Sequence, residues 1–586
     1  MTTKDGTAAV ERKMLADLSM AAPWELVEAF SRHPRWRPED VNTAADMIAE
    51  RLRALGVPVT VHAPEIYLSI PVSASVEAGG VSHRAKAPSM SISVPEGFTG
   101  ELVYMPANQK ALRSYSKSVT ELFGRPESEL AAVTAKLKGR ILVTEGFGNP
   151  ALTQLVEEWG GAGLIAINPG VDIHWGTCTT IWGSPDLDDL PRKPKIPVVA
   201  VNKQTGEALK AIAAAGGPAT IRTEMIEGWY VQKVPEVRIP GAVEPDSFVF
   251  VHGHYDSWDV GVGDNATGDA TLLELARIFW TNRADLRRSV RIAWWPGHST
   301  GRYAGSTWYA DAFALELDEG CVAQINCDSP GCRWATSYHQ TTTMSETLAL
   351  VEGAIRDGAG KPMKPKRPNQ AGDYSFNNIG ISSFYMLSST MPDDLRVEKG
   401  YYDVSGCGAN IAWHTENDTI EIADRTILET DIKVYLLSTL RIANAEVLPF
   451  DWRATTAEFR ATLGRYAATM GDLFDFAPVE AAIDGLDAAL AGFAARVSAG
   501  TVPATAANAV LQGLARILVP LNFTREPRFR HDPAYTVPPL PALAVAGEWA
   551  HLPAEHRGFA LTQLLRGRNQ TIAALRDATR MVTAAG

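Results

Sequence analysis

Apolar residues recur at helical or strand spacing along most of the chain. Residues 20–56 carry apolar side chains three or four positions apart, from Leu26 to Leu55, and Gly56 directly follows the last of them. This spacing predicts two helices near the start. From about 65 to 235, short alternating runs are separated by Gly, Pro and Asn, which predicts a small β-rich module.

A second pattern predicts a larger α/β domain. The continuous apolar runs FVFVHG, VRIAWW and CVAQIN alternate with helix-like segments such as TLLELARIFW. Continuous apolar strands are typical of a sheet buried on both faces, so we expect a mixed, doubly wound sheet with helices on both faces. An Ala- and Leu-rich end predicts further helices. The predicted division is an α/β domain (1–65 and 236–445), an inserted β-rich domain (66–235) and a C-terminal helical domain (446–586).

Composition narrows the class of protein. The 586 residues include 55 basic and 67 acidic side chains, a net charge of −12, which disfavours a nucleic-acid partner. Five scattered cysteines do not form a disulfide framework. We see no signal peptide and no apolar run close to the ~20 residues that span a bilayer, so we expect a cytoplasmic protein without a membrane partner.

Candidate chemistry lies at the ends of the predicted strands. Each such residue, taken alone, is more often a turn or surface residue. They recur, however, in four segments, and the carboxyl ends of parallel strands share one edge of a sheet. The residues are His254, Asp256, Asp264, His298, Asp328 and His414.

Two imidazoles and two carboxylates from this set are suitable ligands for a divalent metal. His254, Asp264, Asp328 and His414 could bind zinc, iron or manganese. Asp256 follows His254 by two positions, a spacing that lets a carboxylate orient a metal-bound imidazole.

Several of these stretches resemble a known family. GHYDSW, GDNATGDATLLELAR, GRYAGSTWYA, INCDSPG and WHTENDT are similar to motifs of the zinc-dependent exopeptidases that include glutamate carboxypeptidase II, the transferrin receptor and bacterial aminopeptidases. Residues 138–203 resemble the protease-associated domain of one branch. The helical end, with FRHDPAYTVPPLPAL, resembles that branch's dimerisation domain, which implies a homodimer.

The resemblance implies a role for each matching residue. His254 and Asp328 would bind a first metal, Asp264 would bridge two metals, and His414 would bind the second. Asp256 would orient His254. The match of AGDYSFNNIG also implies that Asp373 and Tyr374 line the substrate pocket. Tyr401 and Tyr402 could polarise a substrate carbonyl, or they could equally be loop anchors.

One motif departs from the family. His298 and Ser299 occupy the place of a Glu-Glu pair, whose first member is the general base and whose second binds the second metal. His298 could replace the base, since imidazole suits proton transfer at neutral pH, or it could be a metal ligand, or it could merely fill the space.

We therefore expect a metal-dependent hydrolase with one or two metal ions per chain, zinc first and iron or manganese as alternatives. It would cleave a C–N bond in a small or short peptide-like substrate, with His298 as a non-standard base. A mononuclear lyase on the same scaffold is one alternative. A pseudoenzyme or binding protein like the transferrin receptor is the other.

Overall fold

The computed structural model describes residues 4–112, 115–369 and 372–585. Its α-helices are α1 Lys4–Ala16, α2 Ala21–Phe30, α3 Pro38–Ala54, α4 Val119–Phe123, α5 Glu127–Leu137, α6 Pro150–Glu158, α7 Lys203–Ala214, α8 Thr267–Thr281, α9 Ala304–Ala312, α10 Ala314–Gly320, α11 Leu348–Ala359, α12 Asp393–Glu398, α13 Arg425–Asn444, α14 Trp452–Met470, α15 Ala477–Ser498, α16 Ala504–Phe523 and α17 Arg557–Ala584. Its strands are β1 Thr60–His62, β2 Glu65–Ala78, β3 Val81–Arg84, β4 Val94–Tyr104, β5 Ile141–Glu145, β6 Gly163–Ile167, β7 Val198–Val201, β8 Pro218–Val231, β9 Val234–Ile239, β10 Glu244–His254, β11 Arg288–Trp295, β12 Cys321–Asn326, β13 Tyr338–Thr342, β14 Met363–Lys366 and β15 Ser383–Phe384.

A six-stranded mixed sheet carries the α/β part, in the order β1-β9-β11-β10-β12-β15. Strands β11, β10, β12 and β15 run parallel, and β1 and β9 join antiparallel at one edge. In β10, Val249 and Val251 enter a core with α3, α8 and α13, whereas Phe248 and Phe250 enter a second core with α9 and α10. Both faces are therefore covered, which confirms the predicted α/β fold.

A seven-stranded sheet lies between β1 and β9 in the chain, in the order β3-β2-β8-β4-β5-β6-β7. Its long strands β2 and β8 pair antiparallel from Glu65 opposite Val231 to Ala78 opposite Ala219. The chain therefore leaves the six-stranded sheet through β2 and returns to it through the neighbouring strand β8. This arrangement sets the seven-stranded sheet beside the carboxyl edge of the parallel strands.

Helices α14–α17 form the C-terminal part, and α15 and α16 both pack against α17. Among the described helices, α16 is the one whose length and composition would allow it to cross a membrane, a property that the apolar runs of the sequence did not predict. In the structure, Leu514 and Leu518 of α16 are fully buried, and the Arg516 guanidinium donates to the carbonyls of Asp318 and Cys321. Its contacts are those of a helix in the protein interior.

Candidate metal centre and cleft

The parallel strands bring the candidate residues to one edge of the sheet. His254 is the last residue of β10, His298 follows β11 by three positions, and Asp328 follows β12 by two. Asp264 lies in the turn that leads into α8, and His414 lies in a loop before α13. Since these strands run parallel, loops far apart in sequence converge at one point.

Four side chains form the ligand cluster: His254, Asp264, Asp328 and His414. His254 Nε2 lies 3.1 Å from Asp264 Oδ1 and 3.7 Å from Asp328 Oδ2. The other oxygen of Asp264, Oδ2, lies 3.1 Å from His414 Nε2. Asp264 thus turns one oxygen to each histidine, the arrangement of a carboxylate that bridges two metal positions.

The cluster fits a divalent metal ion. His254 Nε2 and Asp264 Oδ1 are both buried, and neither has a hydrogen-bond partner. Nitrogen and oxygen ligands about 2.0–2.2 Å from a tetrahedral zinc ion lie roughly 3.3 Å apart, close to the separations found here. Burial alone would lower the His254 pKa, but Asp264 and Asp328 outweigh it and raise this pKa well above its ordinary value. The pocket therefore attracts positive charge.

His254 is oriented by a backbone group. Its Nδ1–H donates to the carbonyl oxygen of Asp256 at 2.8 Å, not to the carboxylate that the sequence suggested. The Asp256 carboxylate instead accepts from the backbone N–H groups of His298 and Ser299, both at 2.9 Å. The correction follows from the turn after β10, which directs the Asp256 side chain toward the loop after β11. Asp256 therefore holds the backbone at His298 and Ser299 in place.

His298 is held against the ligand cluster. Its ring stacks on the His254 ring at a centroid distance of 3.7 Å and an angle of 12°. His254, His298 and Asp328 each present one ligand-capable atom, all within 4.8 Å of one another. The Nδ1–H of His298 donates to Asp373 Oδ2 at 2.8 Å, so its Nε2 is the atom left for chemistry.

Asp373 is fully buried and touches the cluster through His298 alone. Its Oδ1 accepts from the Ser306 hydroxyl at 2.7 Å. Burial would raise the Asp373 pKa, but His298 outweighs burial and lowers it, so the carboxylate is ionised at neutral pH. The sequence motif predicted that Asp373 lines the substrate pocket. In the structure, Asp373 is instead the hydrogen-bond partner of His298.

The three histidines share one arrangement. His414 Nδ1–H donates to the carbonyl oxygen of Trp175 at 3.0 Å, as His254 and His298 donate to their own acceptors. Each ring therefore directs Nε2 inward. Metal-binding histidines characteristically donate their outer N–H in this way.

Two residues missed by the sequence reasoning hold the Asp264 turn. The Asp418 carboxylate accepts from the N–H groups of Gly263 at 2.7 Å and Asp264 at 3.0 Å. Asn265 donates to the carbonyl oxygens of His254 and Cys327. Asn265 lies in the motif GDNATG, one position after Asp264, and Asp418 lies in HTENDT, four positions after His414. Their closeness in sequence to a predicted ligand was the signal that could have identified them.

The two candidate tyrosines point elsewhere. The Tyr374 hydroxyl bonds to Thr342 Oγ1 at 2.9 Å, and the Tyr402 hydroxyl donates to His174 Nε2 at 2.7 Å. His174 accepts this bond because burial lowers its pKa to about 3 and leaves the ring neutral. Neither tyrosine lines the cleft described next, so the expected substrate contacts are not made by these hydroxyls.

A cleft with aromatic walls opens above the cluster. Trp175, from the segment that follows β6, stacks on Trp258 at 5.2 Å and 13°. The walls also include Tyr115, Trp413 and Ser299. Residues of the seven-stranded sheet segment thus form one side of the cleft, and loops of the six-stranded sheet form its floor.

Part of the chain matches a known protein family. Residues 237–436 match the family model described as peptidase family M28. The chain is 25% identical to the probable glutamate carboxypeptidase VP8 of Zea mays, over 76% of this chain and 69% of that protein. It is 27% identical to aminopeptidase YwaD of Bacillus subtilis, over 39% of this chain and 48% of the relative.

Solved structures share the fold. A zinc aminopeptidase from Bacillus subtilis superposes with a TM-score of 0.53, covering 73% of this chain and 97% of that one at 18% identity. An aminopeptidase from Aneurinibacillus superposes with a TM-score of 0.52 over 74% of this chain and 96% of that one, also at 18% identity. Both likenesses concern architecture alone.

Proposed function

We propose that this chain, whose residues 237–436 match the model of peptidase family M28, is a metal-dependent hydrolase that cleaves a C–N bond in a small, peptide-like substrate. The observation that carries the proposal is the pair of buried, unpartnered atoms His254 Nε2 and Asp264 Oδ1, which face each other at 3.1 Å. Such an arrangement is costly unless a metal ion, or the proton of a charged His254, lies between the two atoms.

Zinc is the proposed metal. His254, Asp264 and Asp328 would hold it, and zinc bound there would lower the pKa of a water molecule and polarise the scissile carbonyl. The second position has two protein ligands, Asp264 and His414, because Ser299 stands where a carboxylate would complete it. We therefore propose one tightly bound ion per chain and a weaker second position.

His298 is the proposed proton acceptor. Asp373 accepts the Nδ1–H bond of His298 and thereby leaves the Nε2 lone pair free beside the cluster. In hydrolysis, Nε2 would take the proton of the attacking water and pass it to the leaving amine. The stacking on His254 and the two backbone bonds to Asp256 keep this atom in place.

The test compares metal content with turnover. The enzyme is purified without added metal, its zinc is measured by mass spectrometry, and amine release is followed on a panel of dipeptides and N-acyl amino acids. His298→Ala should lower kcat by about 10²–10⁴-fold, the usual contribution of a general base, and leave zinc unchanged. His339→Ala removes an exposed histidine and serves as control.

Two results would reject parts of the proposal. Loss of zinc in His298→Ala would make His298 a ligand and exclude it as the proton acceptor. A wild-type protein that contains no metal, and whose melting temperature does not change on chelation, would refute the metal-dependent activity itself.

Homodimer formation through the helical end is a further proposal. Phe559 and Leu565 on α17 are 76% and 46% exposed, an apolar surface compatible with self-association. Light scattering at micromolar concentration distinguishes a dimer from a monomer.

A further inference from the structure

We propose that Arg302 binds a carboxylate group of the substrate, and this inference rests on the proposed function of the same cleft. Arg302 lies between β11 and α9, in the loop that also carries His298. Its residue surface is 4% exposed, and it lines the cleft together with Asp264, His298 and Asp328.

The Arg302 guanidinium lacks an anionic partner. Nη1 donates to Thr177 Oγ1 at 2.9 Å, but Nε and Nη2 are buried and have no hydrogen-bond partner. Among the described residues, no carboxylate forms an ion pair with it. The remaining neighbours are two rings, Tyr303 at 4.7 Å and Tyr115 at 5.4 Å from the central carbon. Contact with ring faces offsets only part of the cost of burying this charge.

The other buried arginines have carbonyl or carboxylate partners, although Arg288 Nε and Nη2 and Arg291 Nη1 are also buried without a hydrogen bond. Arg35 donates to the carbonyls of Phe30, Tyr255, Val260 and Gly261. Arg288 pairs with Glu244, and Arg291 pairs with Glu316. Among the described residues, Arg302 is the buried arginine whose guanidinium has neither a carboxylate partner nor a backbone carbonyl acceptor.

The two free donors suit one chemical group. Nε–H and Nη2–H lie on the same edge of the planar guanidinium and point in parallel, which matches the two oxygens of a carboxylate. Arg302 is also the one permanent cation among the described residues that line the cleft. An anionic group that enters the cleft would therefore be directed to this edge, past the half-buried Tyr115 ring.

The position of Arg302 limits how far that carboxylate can be from the reaction. The Tyr303 ring contacts both the guanidinium and the His298 ring, whose centroid is 4.9 Å from that of Tyr303. A carboxylate on Arg302 would therefore lie on the His298 side of the cleft. The substrate class is a short peptide or an N-acyl amino acid in which a free carboxylate is adjacent to the C–N bond that is cleaved.

Binding of two matched probes tests the assignment. N-benzoylglycine carries the carboxylate, and N-benzoylglycinamide replaces it with a neutral amide of the same shape. Calorimetry on the zinc-loaded enzyme should show the acid binding at least about tenfold more tightly, as expected for charge-assisted hydrogen bonds. Arg302→Gln should abolish this preference, and Arg302→Lys should keep part of it. Zinc content should stay unchanged in both variants.

Two outcomes overturn the inference. One is a wild-type enzyme that binds acid and amide equally, which requires no variant to fold. The other is an Arg302→Gln enzyme that keeps the preference, since the metal would then be the carboxylate's partner. Arg283→Gln is the control, because Arg283 also stacks on a ring, that of Trp280, but lies outside the cleft. Binding and zinc content are measured without turnover, so failure here is distinguishable from failure to find hydrolysis.

Discussion

Replacement of Asp373 by asparagine is the sharpest test of how His298 works. The two side chains have nearly the same shape, and the amide oxygen of the variant can still accept from Ser306. Its NH₂ group, however, would donate to His298 Nδ1, so the proton of the ring would move to Nε2. An imidazole with a proton on Nε2 cannot accept one from water.

The structure sets the size of the effect. The Nδ1–Oδ2 distance is 2.8 Å, and the Asp373 side chain is fully buried, so this bond is little screened by solvent. Because the variant removes the proton-accepting nitrogen, as His298→Ala does, kcat should fall by about 10²–10⁴-fold. KM and zinc content should not change, because Asp373 touches neither substrate nor metal.

Steady-state kinetics and metal analysis on the same preparation check this expectation. Asp311→Asn provides the matched control, because His531 and Asp311 form a pair of similar length, 2.9 Å, at the surface. A kcat within twofold of wild type in a folded, zinc-containing Asp373→Asn enzyme would refute the reasoning. Loss of zinc would instead show that His298 is a ligand.

Two further predictions concern metal number and pH. Ser299→Glu restores a carboxylate at the second metal position and should raise zinc from about one to two equivalents per chain; unchanged stoichiometry by mass spectrometry contradicts the proposed second position. Glu346 accepts from the hydroxyls of Ser382 and Thr455, and burial raises its pKa to about 7. Because this folded-state pKa is raised, the stability from Glu346 is fully present below about pH 4.5 and is lost as pH rises through 7. Relative to Glu346→Gln, the wild-type free energy of unfolding should therefore fall by about 3 kcal/mol between pH 5 and pH 8; a difference independent of pH in urea titrations contradicts this.

Much of the α/β fold could be predicted because its strands are long, apolar and regularly spaced. The run FVFVHG is buried on both faces in β10, as its lack of alternation required. The apolar run ISSFYML has the composition of a strand too, yet pairing stops after Phe384. Tyr385 has a φ of 58°, which lies outside the range of extended backbone. Tertiary contacts, which have no local signal, impose that conformation.

Prediction of the site was uneven for a similar reason. The ligand cluster could be located because strand order fixes which loops meet. The partner of each histidine could not, since Asp373 and Trp175 reach His298 and His414 across 75 and 239 positions of sequence. The unpaired Nε and Nη2 groups of Arg302 could not be predicted either. They depend on which side chains lie nearby in the fold, and no sequence motif indicates this.

The pairing of Trp175 with His414 links the cleft wall to the second metal position. Trp175 N–H donates to the His414 carbonyl at 2.8 Å, and His414 Nδ1–H donates back to the Trp175 carbonyl. The segment that forms the cleft wall therefore positions a residue of the second metal position. An ion bound by His414 would therefore stabilise the position of the Trp175 segment. By reciprocity, the Trp175 segment would stabilise the bound ion by the same factor.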